Sequence, residues 1–145
     1  MSVQPEVLAA AYALLSRRSY FTEALRQRLL SKSFSRESVE EVVSYLTERK
    51  FLNDKATTQR FIESKSGKDS VGREKLKAEL ERRGVPDEVI EEGLAGWADD
   101  TARALSCLQA KYGDRADRSK AGRFLYARGF DENSIESALD HFCPE

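Results

Sequence analysis

Apolar residues recur along this chain with the period of an α-helix, and one arrangement of them recurs three times. Leu76 to Trp97 reads LKAELERRGVPDEVIEEGLAGW, two amphipathic helical patterns separated by a glycine and a hydrophobic residue. The stretch returns, altered, as Leu25 to Leu46 upstream and Ala121 to Phe142 downstream. Aligned on Phe34, Val85 and Phe130, the three place Leu29, Leu80 and Leu125 five positions earlier and Val39, Ile90 and Ile135 five positions later. Leu46, Trp97 and Phe142 also fall together. The anchors lie roughly 45 to 51 residues apart, the range of helical repeat proteins. These residues are the predicted core.

The same period predicts a helix in front of each pair. Leu8, Ala11, Tyr12 and Leu15 form one stripe, with Pro5 and Glu6 suited to its first turn. Phe61 and Ile62 mark a weaker helix, and Ala98, Ala102, Leu105, Leu108 and Tyr112 mark another. Two short helices leave an apolar stripe uncovered, and a third supplies the lid. The expected fold is therefore all-α: about nine helices, no strand, in three tandem helix-turn-helix-like repeats at residues 1–53, 54–98 and 99–145. Thr22, Ser35, Asn53 or Asp54, Asp117 and Asp131 are the expected N-caps. Gly84-Val85-Pro86 ends a helix, since Gly fits the position after it and Pro cannot continue it. Ser64 to Gly72, SKSGKDSVG, reads as the one flexible stretch.

Composition narrows the class. With 40% hydrophobic and 34% charged residues, much surface per residue is expected, as in a thin helical array. A net charge of −1 excludes a polyelectrolyte, so any basic surface must come from local sorting. Such sorting exists. Second helices carry bases: Arg26, Arg28 and Lys32; Arg73, Lys75, Lys77, Arg82 and Arg83; Arg118, Lys120, Arg123 and Arg128. Third helices carry acids, such as Glu40, Glu91 and Glu136. Acids in first turns and bases in last turns explain part of this. The remainder suggests a basic ridge facing phosphates or an acidic protein groove. The middle unit is densest, and Lys65 and Lys68 precede it, so Lys65, Lys68, Arg73, Lys75, Lys77, Arg82 and Arg83, with Arg118, Lys120 and Arg123, are the candidate partner- or DNA-binding residues.

Catalytic chemistry finds no foothold. His141 is the single histidine and belongs to no ligand or triad spacing. Gly67-Lys68 lacks the first glycine of a phosphate loop and is followed by Asp69. Cys107 and Cys143 have no metal-type spacing and read as reduced thiols of a cytoplasmic protein. Neither a signal peptide nor an apolar run of membrane length is visible. No cofactor, metal or enzymatic activity is expected.

From about Leu8 to Phe142 the chain resembles the RecX regulatory family of bacteria. The carriers are Arg83-Gly84-Val85 with Ile90, Arg128-Gly129-Phe130 with Ile135, the Phe51-Leu52-Asn53-Asp54 junction, and Lys65, Gly72, Leu80 and Lys111 at the family's spacing. It departs from the pattern at Ser33, where the turn glycine is usual, and at Thr57 and Thr58, where Phe and Ala are expected. The resemblance implies a curved, elongated array of three-helix repeats and a monomeric modulator of the RecA recombinase. Such a protein lies in the groove of the RecA filament on single-stranded DNA and suppresses ATP hydrolysis, strand exchange and co-protease activity. Two rivals remain from the residues alone. One is a direct nucleic-acid-binding helix-turn-helix module, against which stands the acidity of every would-be recognition helix. The other is a generic helical scaffold.

Overall fold

The computed structural model describes residues 3–97 and 99–143. Among them are nine α-helices and no strand: α1 Pro5–Leu15, α2 Thr22–Ser31, α3 Arg36–Glu48, α4 Asp54–Ser64, α5 Arg73–Arg82, α6 Asp87–Leu94, α7 Asp100–Tyr112, α8 Arg118–Ala127 and α9 Glu132–Phe142. One turn of 3-10 helix, Gly67–Asp69, stands between α4 and α5. Ala98, expected in the helix that became α7, lies outside the described residues, as do the outermost positions of the first and third predicted repeats.

Local chemistry accounts for most helix starts. The side chains of Ser35, Asp117 and Asp131 accept from the backbone N–H of Ser38, Lys120 and Ser134, and Asn53 accepts from Ala56. Asp99 does the same for α7 through Thr101, a cap the apolar pattern did not reveal. Thr22 corrects the expectation for α2. It is the first helical residue and the cap position is Phe21, which has no side-chain acceptor. The N–H and hydroxyl of Thr22 both donate to Asp54 Oδ1, at 2.7 and 3.0 Å. A carboxylate from the first turn of α4 therefore satisfies an orphan donor at the start of α2.

Three turns after second helices share one conformation. Ser33, Gly84 and Gly129 have φ of 72°, 79° and 84°. In the latter two, Val85 N–H donates to Leu80 O and Phe130 N–H to Leu125 O, closing the helix end. Serine carries a steric penalty in this left-handed region that glycine does not. Ser33→Gly is therefore expected to stabilise the protein by up to about 1 kcal/mol, read as a higher urea midpoint at unchanged slope.

The chain forms two compact units: Met1–Gln59 with Leu80–Glu91, and Arg60–Glu79 with Glu92–Glu145. In the first, Val7, Ala11, Leu14, Leu25, Leu29, Val39, Val42, Val43 and Leu46 of α1, α2 and α3 form one core. Phe34 packs against it only partly buried. Leu80, Val85 and Ile90 are buried in this unit. In the second, Ala104, Cys107, Leu108, Ala121, Leu125, Phe130, Ala138 and Leu139 form the core of α7, α8 and α9, with Ile135 and Phe142 partly buried at its margin. Trp97 is also only partly buried.

Each unit contains a joint of the same design. In the first, Asp54 holds the N-terminus of α2, and a Cβ on Gly84 would stand 2.7 Å from Glu23 Cβ of that helix. In the second, Asp100 accepts from the N–H of Arg73 at the N-terminus of α5, and a Cβ on Gly129 would stand 2.6 Å from Lys75 Cβ. The turn glycine of one three-helix stretch thus lies on the second helix of the preceding stretch, and an aspartate two helices after that second helix clips its first turn.

Thr58 is fully buried and Thr57 nearly so. The Thr58 hydroxyl has no hydrogen-bond partner among the described residues. Burying an unpaired hydroxyl costs about 1–3 kcal/mol, so Thr58→Val is expected to raise stability by about 1 kcal/mol in thermal or urea unfolding.

Candidate partner-binding surface

The bases chosen from sequence divide into braces and exposed charges. Arg73 is a brace: its N–H donates to Asp100 and its Nη1 to Leu94 O at 3.1 Å, the last residue of α6. Arg118, at the equivalent start of α8, donates Nη1 to Cys143 O at 3.1 Å just beyond α9, and Nη2 to Asp140 at 2.8 Å. Its bond to Asp140 raises the guanidinium's pKa further. Lys75 Nζ donates to Ala127 O at 2.9 Å, the last residue of α8. These cations sit on helix C-termini, where carbonyls lack partners and the dipole is negative.

Some of the basic-against-acidic sorting likewise resolves into pairing within a unit. Arg26 of α2 meets Glu40 of α3 through Nε at 2.6 Å and Nη2 at 3.2 Å, and Glu23 through Nη1 at 2.5 Å. The amide of Gln27, then Arg26, holds the Glu23 carboxyl below the usual value. Its contribution to stability is thus present above the unfolded carboxyl pKa and fades as pH falls through the lower folded one.

Ser64 to Gly72 is held in place, contrary to its composition. Lys65 O accepts from Arg103 Nη2. Lys68 O accepts from Arg128 Nη1 at 2.5 Å, Ser70 O receives the same group at 3.5 Å, and both carbonyls face Cys107 Sγ. Gly72 N–H donates to Arg128 O at 2.9 Å. Ser70 and Val71 are buried. The glycines serve fit here: a Cβ on Gly72 would come 2.1 Å from Gly129 O. Burial pushes the Cys107 thiol up, keeping it a protonated donor. Arg103 stacks over the Trp97 ring at 3.8 Å, and burial lowers its pKa.

Lys65 lies half-buried, its ammonium 5.1 Å from the Phe61 ring centroid, and Lys77 is also half-buried. The side chains of Lys68, Arg82, Arg83, Lys120 and Arg123 are exposed. Arg118 and Arg123 share an open groove of about 720 Å³ on α8 and α9 with Ser119, Gly122, Tyr126, Ile135 and Leu139. Of the middle-stretch bases, Lys65 to Lys77 belong to the second unit and Arg82 and Arg83 to the first. Sequence reasoning counted Arg28 and Lys32 among the second-helix bases but missed Arg17 and Arg18, and in the first unit these four line one pocket with Ala10, Ala13, Leu14 and Tyr20. The Arg17-Arg18 doublet was its available signal.

No cluster of three or more His, Cys, Asp or Glu positioned for a metal occurs among the described residues. None of the described helices is long and apolar enough to cross a membrane. His141 Nδ1 lies 2.9 Å from Ser137 O of its own helix.

Fold and surface together define an all-helical protein of recurring helix-turn-helix stretches that presents cations at its surface. Residues 53–94 match a family model described as RecX, second three-helix domain. The Regulatory protein RecX of Pelodictyon phaeoclathratiforme is 33% identical over 141 residues, 93% of this chain and 88% of the relative. That of Thermus thermophilus is 38% identical over 125 residues, covering 86% and 84%. A crystal structure of RecX from Lactobacillus salivarius, 18% identical, shares the fold with a TM-score of 0.77 over 97% of this chain and 96% of that one. The chain belongs to the RecX regulatory family.

Proposed function

We propose that this protein is a non-catalytic, monomeric, cytoplasmic regulator that binds the RecA filament on single-stranded DNA, in its groove, and inhibits ATP hydrolysis, strand exchange and co-protease activity. Recombination, repair and the SOS response are then the processes it modulates. The observation that carries this reading is the near full-length similarity to proteins named Regulatory protein RecX, 33% identical over 93% of the chain in one case. The duplicated joint supports an organisation in three repeats at 1–53, 54–98 and 99–145. The deciding experiment is RecA ATPase on single-stranded DNA with and without the protein. Hydrolysis should fall as protein is added, and an unchanged rate at saturating protein would remove the proposal.

Exposed charges with no ion pair among the described residues, Lys68, Arg82, Lys120 and Arg123, are the side chains proposed to meet DNA phosphates or RecA carboxylates. Arg73, Lys75 and Arg118 brace helix ends and are removed from that role. Lys120→Glu with Arg123→Glu should weaken inhibition about tenfold or more, since a charge-assisted contact contributes ~1.5–3 kcal/mol. Folding should change by no more than about 0.5 kcal/mol per site. The check is an inhibition titration alongside a thermal melt.

A further inference from the structure

We infer that the pocket between α1 and α2 is a binding site for the phosphodiester backbone of single-stranded nucleic acid. It encloses about 470 Å³ and is open to solvent. Its walls are Ala10, Ala13, Leu14, Arg17, Arg18, Tyr20, Arg28 and Lys32, with no carboxylate among them. All of the cations are exposed, and none forms an ion pair among the described residues. Arg18 lies over the Tyr20 ring at 4.5 Å, which fixes the position of its guanidinium without neutralising it.

Helix-end electrostatics explains these residues one by one. Arg17 and Arg18 follow the end of α1, Arg28 is in the last turn of α2, and Lys32 is its C-cap. It does not explain their convergence. Bases serving separate helix ends gain nothing from sharing a cavity, where they repel one another. Elsewhere in this unit the arrangement is different: Arg26, on the same helix, is paired with Glu40 and Glu23. An unpaired cluster of like charges favours a polyanion, because each phosphate neutralised also releases a counterion.

The rest of the wall narrows the ligand. Ala10, Ala13 and Leu14 add apolar lining to the same pocket as the cations. A nucleotide unit presents both characters, a charged phosphate and an apolar sugar or base face, and strand-binding grooves combine them. A bare carboxylate would use only half of the pocket. An open cavity also suits a passing strand better than a sealed small molecule.

The inference extends phosphate contact to a site outside the surface proposed above, and its strand-binding readout needs no RecA. Fluorescence anisotropy of a labelled oligothymidylate is measured with the full chain over a salt series. Arg17→Gln with Arg28→Gln should weaken binding at least tenfold and make the slope of log K against log salt shallower by about 1.4, roughly 0.7 for each single-strand phosphate that is no longer neutralised. Arg17→Lys with Arg28→Lys should retain most of both. Matching circular dichroism and melting curves show that the fold is intact. Unchanged affinity and slope in the Gln variant would overturn the inference. So would displacement of the strand by micromolar ATP, which would make the pocket a mononucleotide site. Loss of RecA inhibition with strand binding intact would overturn it as well, and would assign the pocket to an acidic protein surface.

Discussion

Gly72→Ala should lower stability by about 3 kcal/mol or more, although the change adds one methyl group outside any helix interior. The methyl would stand 2.1 Å from Gly129 O, 2.6 Å from Gly129 C and 3.0 Å from Phe130 Cα. These are backbone atoms and cannot swing aside as a side chain would. Separating the two segments would break the 2.9 Å bond from Gly72 N–H to Arg128 O and strain the two bonds from Arg128 Nη1 to Lys68 O and Ser70 O. It would also tilt the start of α5, where Gly72 O accepts from Leu76 and Arg73 N–H donates to Asp100. Against a typical total of ~5–15 kcal/mol this is a large loss, and the melting temperature should fall by about 10 °C. Gly96→Ala is the control, since a Cβ there meets nothing within 4 Å. It should stay within about 0.5 kcal/mol. A Gly72→Ala protein melting near the parent would show that the close approach relaxes cheaply.

What the sequence revealed and what it hid separate along one line. Features set by neighbours three to five positions apart were readable: the caps at Ser35, Asp117 and Asp131, the turn at Gly84, and the stripe that buries Val39, Val42, Val43 and Leu46. Features set by a distant partner were not. Thr22 looks like a cap, but its acceptor, Asp54, lies in a different helix. Gly72 looks like flexibility because composition cannot distinguish a glycine that allows motion from one that allows contact. Arg73 and Lys75 look like free cations, yet they complete helix ends at Leu94 and Ala127. The candidate surface suffered most from this, because a charge is available to a partner only if nothing in its own fold has claimed it. Ser33 shows the reverse case: a missing glycine in the sequence did not mean a missing turn, since serine adopts the same φ at some cost.

Trp97→Ala should destabilise by about 3 kcal/mol, near the lower end for a tryptophan truncation because the ring is only partly buried. Three losses combine. The ring gives up its packing area. Its Nε1–H gives up the 2.9 Å bond to Asp100 Oδ1. Arg103, whose guanidinium lies 3.8 Å from the ring centroid, loses its stacking face. The last loss is aggravated because Arg103 Nε is already buried without a hydrogen-bond partner among the described residues, and desolvation dominates its lowered pKa. A desolvated cation deprived of its π-face costs ~1–2 kcal/mol more than an exposed one. Trp97→Phe separates the terms: it keeps a ring beneath Arg103 and removes the bond to Asp100, which retains the N–H of Arg73. Its cost should be about 1 kcal/mol. Since Trp97 is the single tryptophan, emission reports on this stack directly. Native emission should fall between buried and solvent-exposed values, and Arg103→Ala should shift it to the red before any unfolding. Equal costs for Trp97→Ala and Trp97→Phe would mean that the hydrogen bond, and not the stack under Arg103, holds this corner of the second unit.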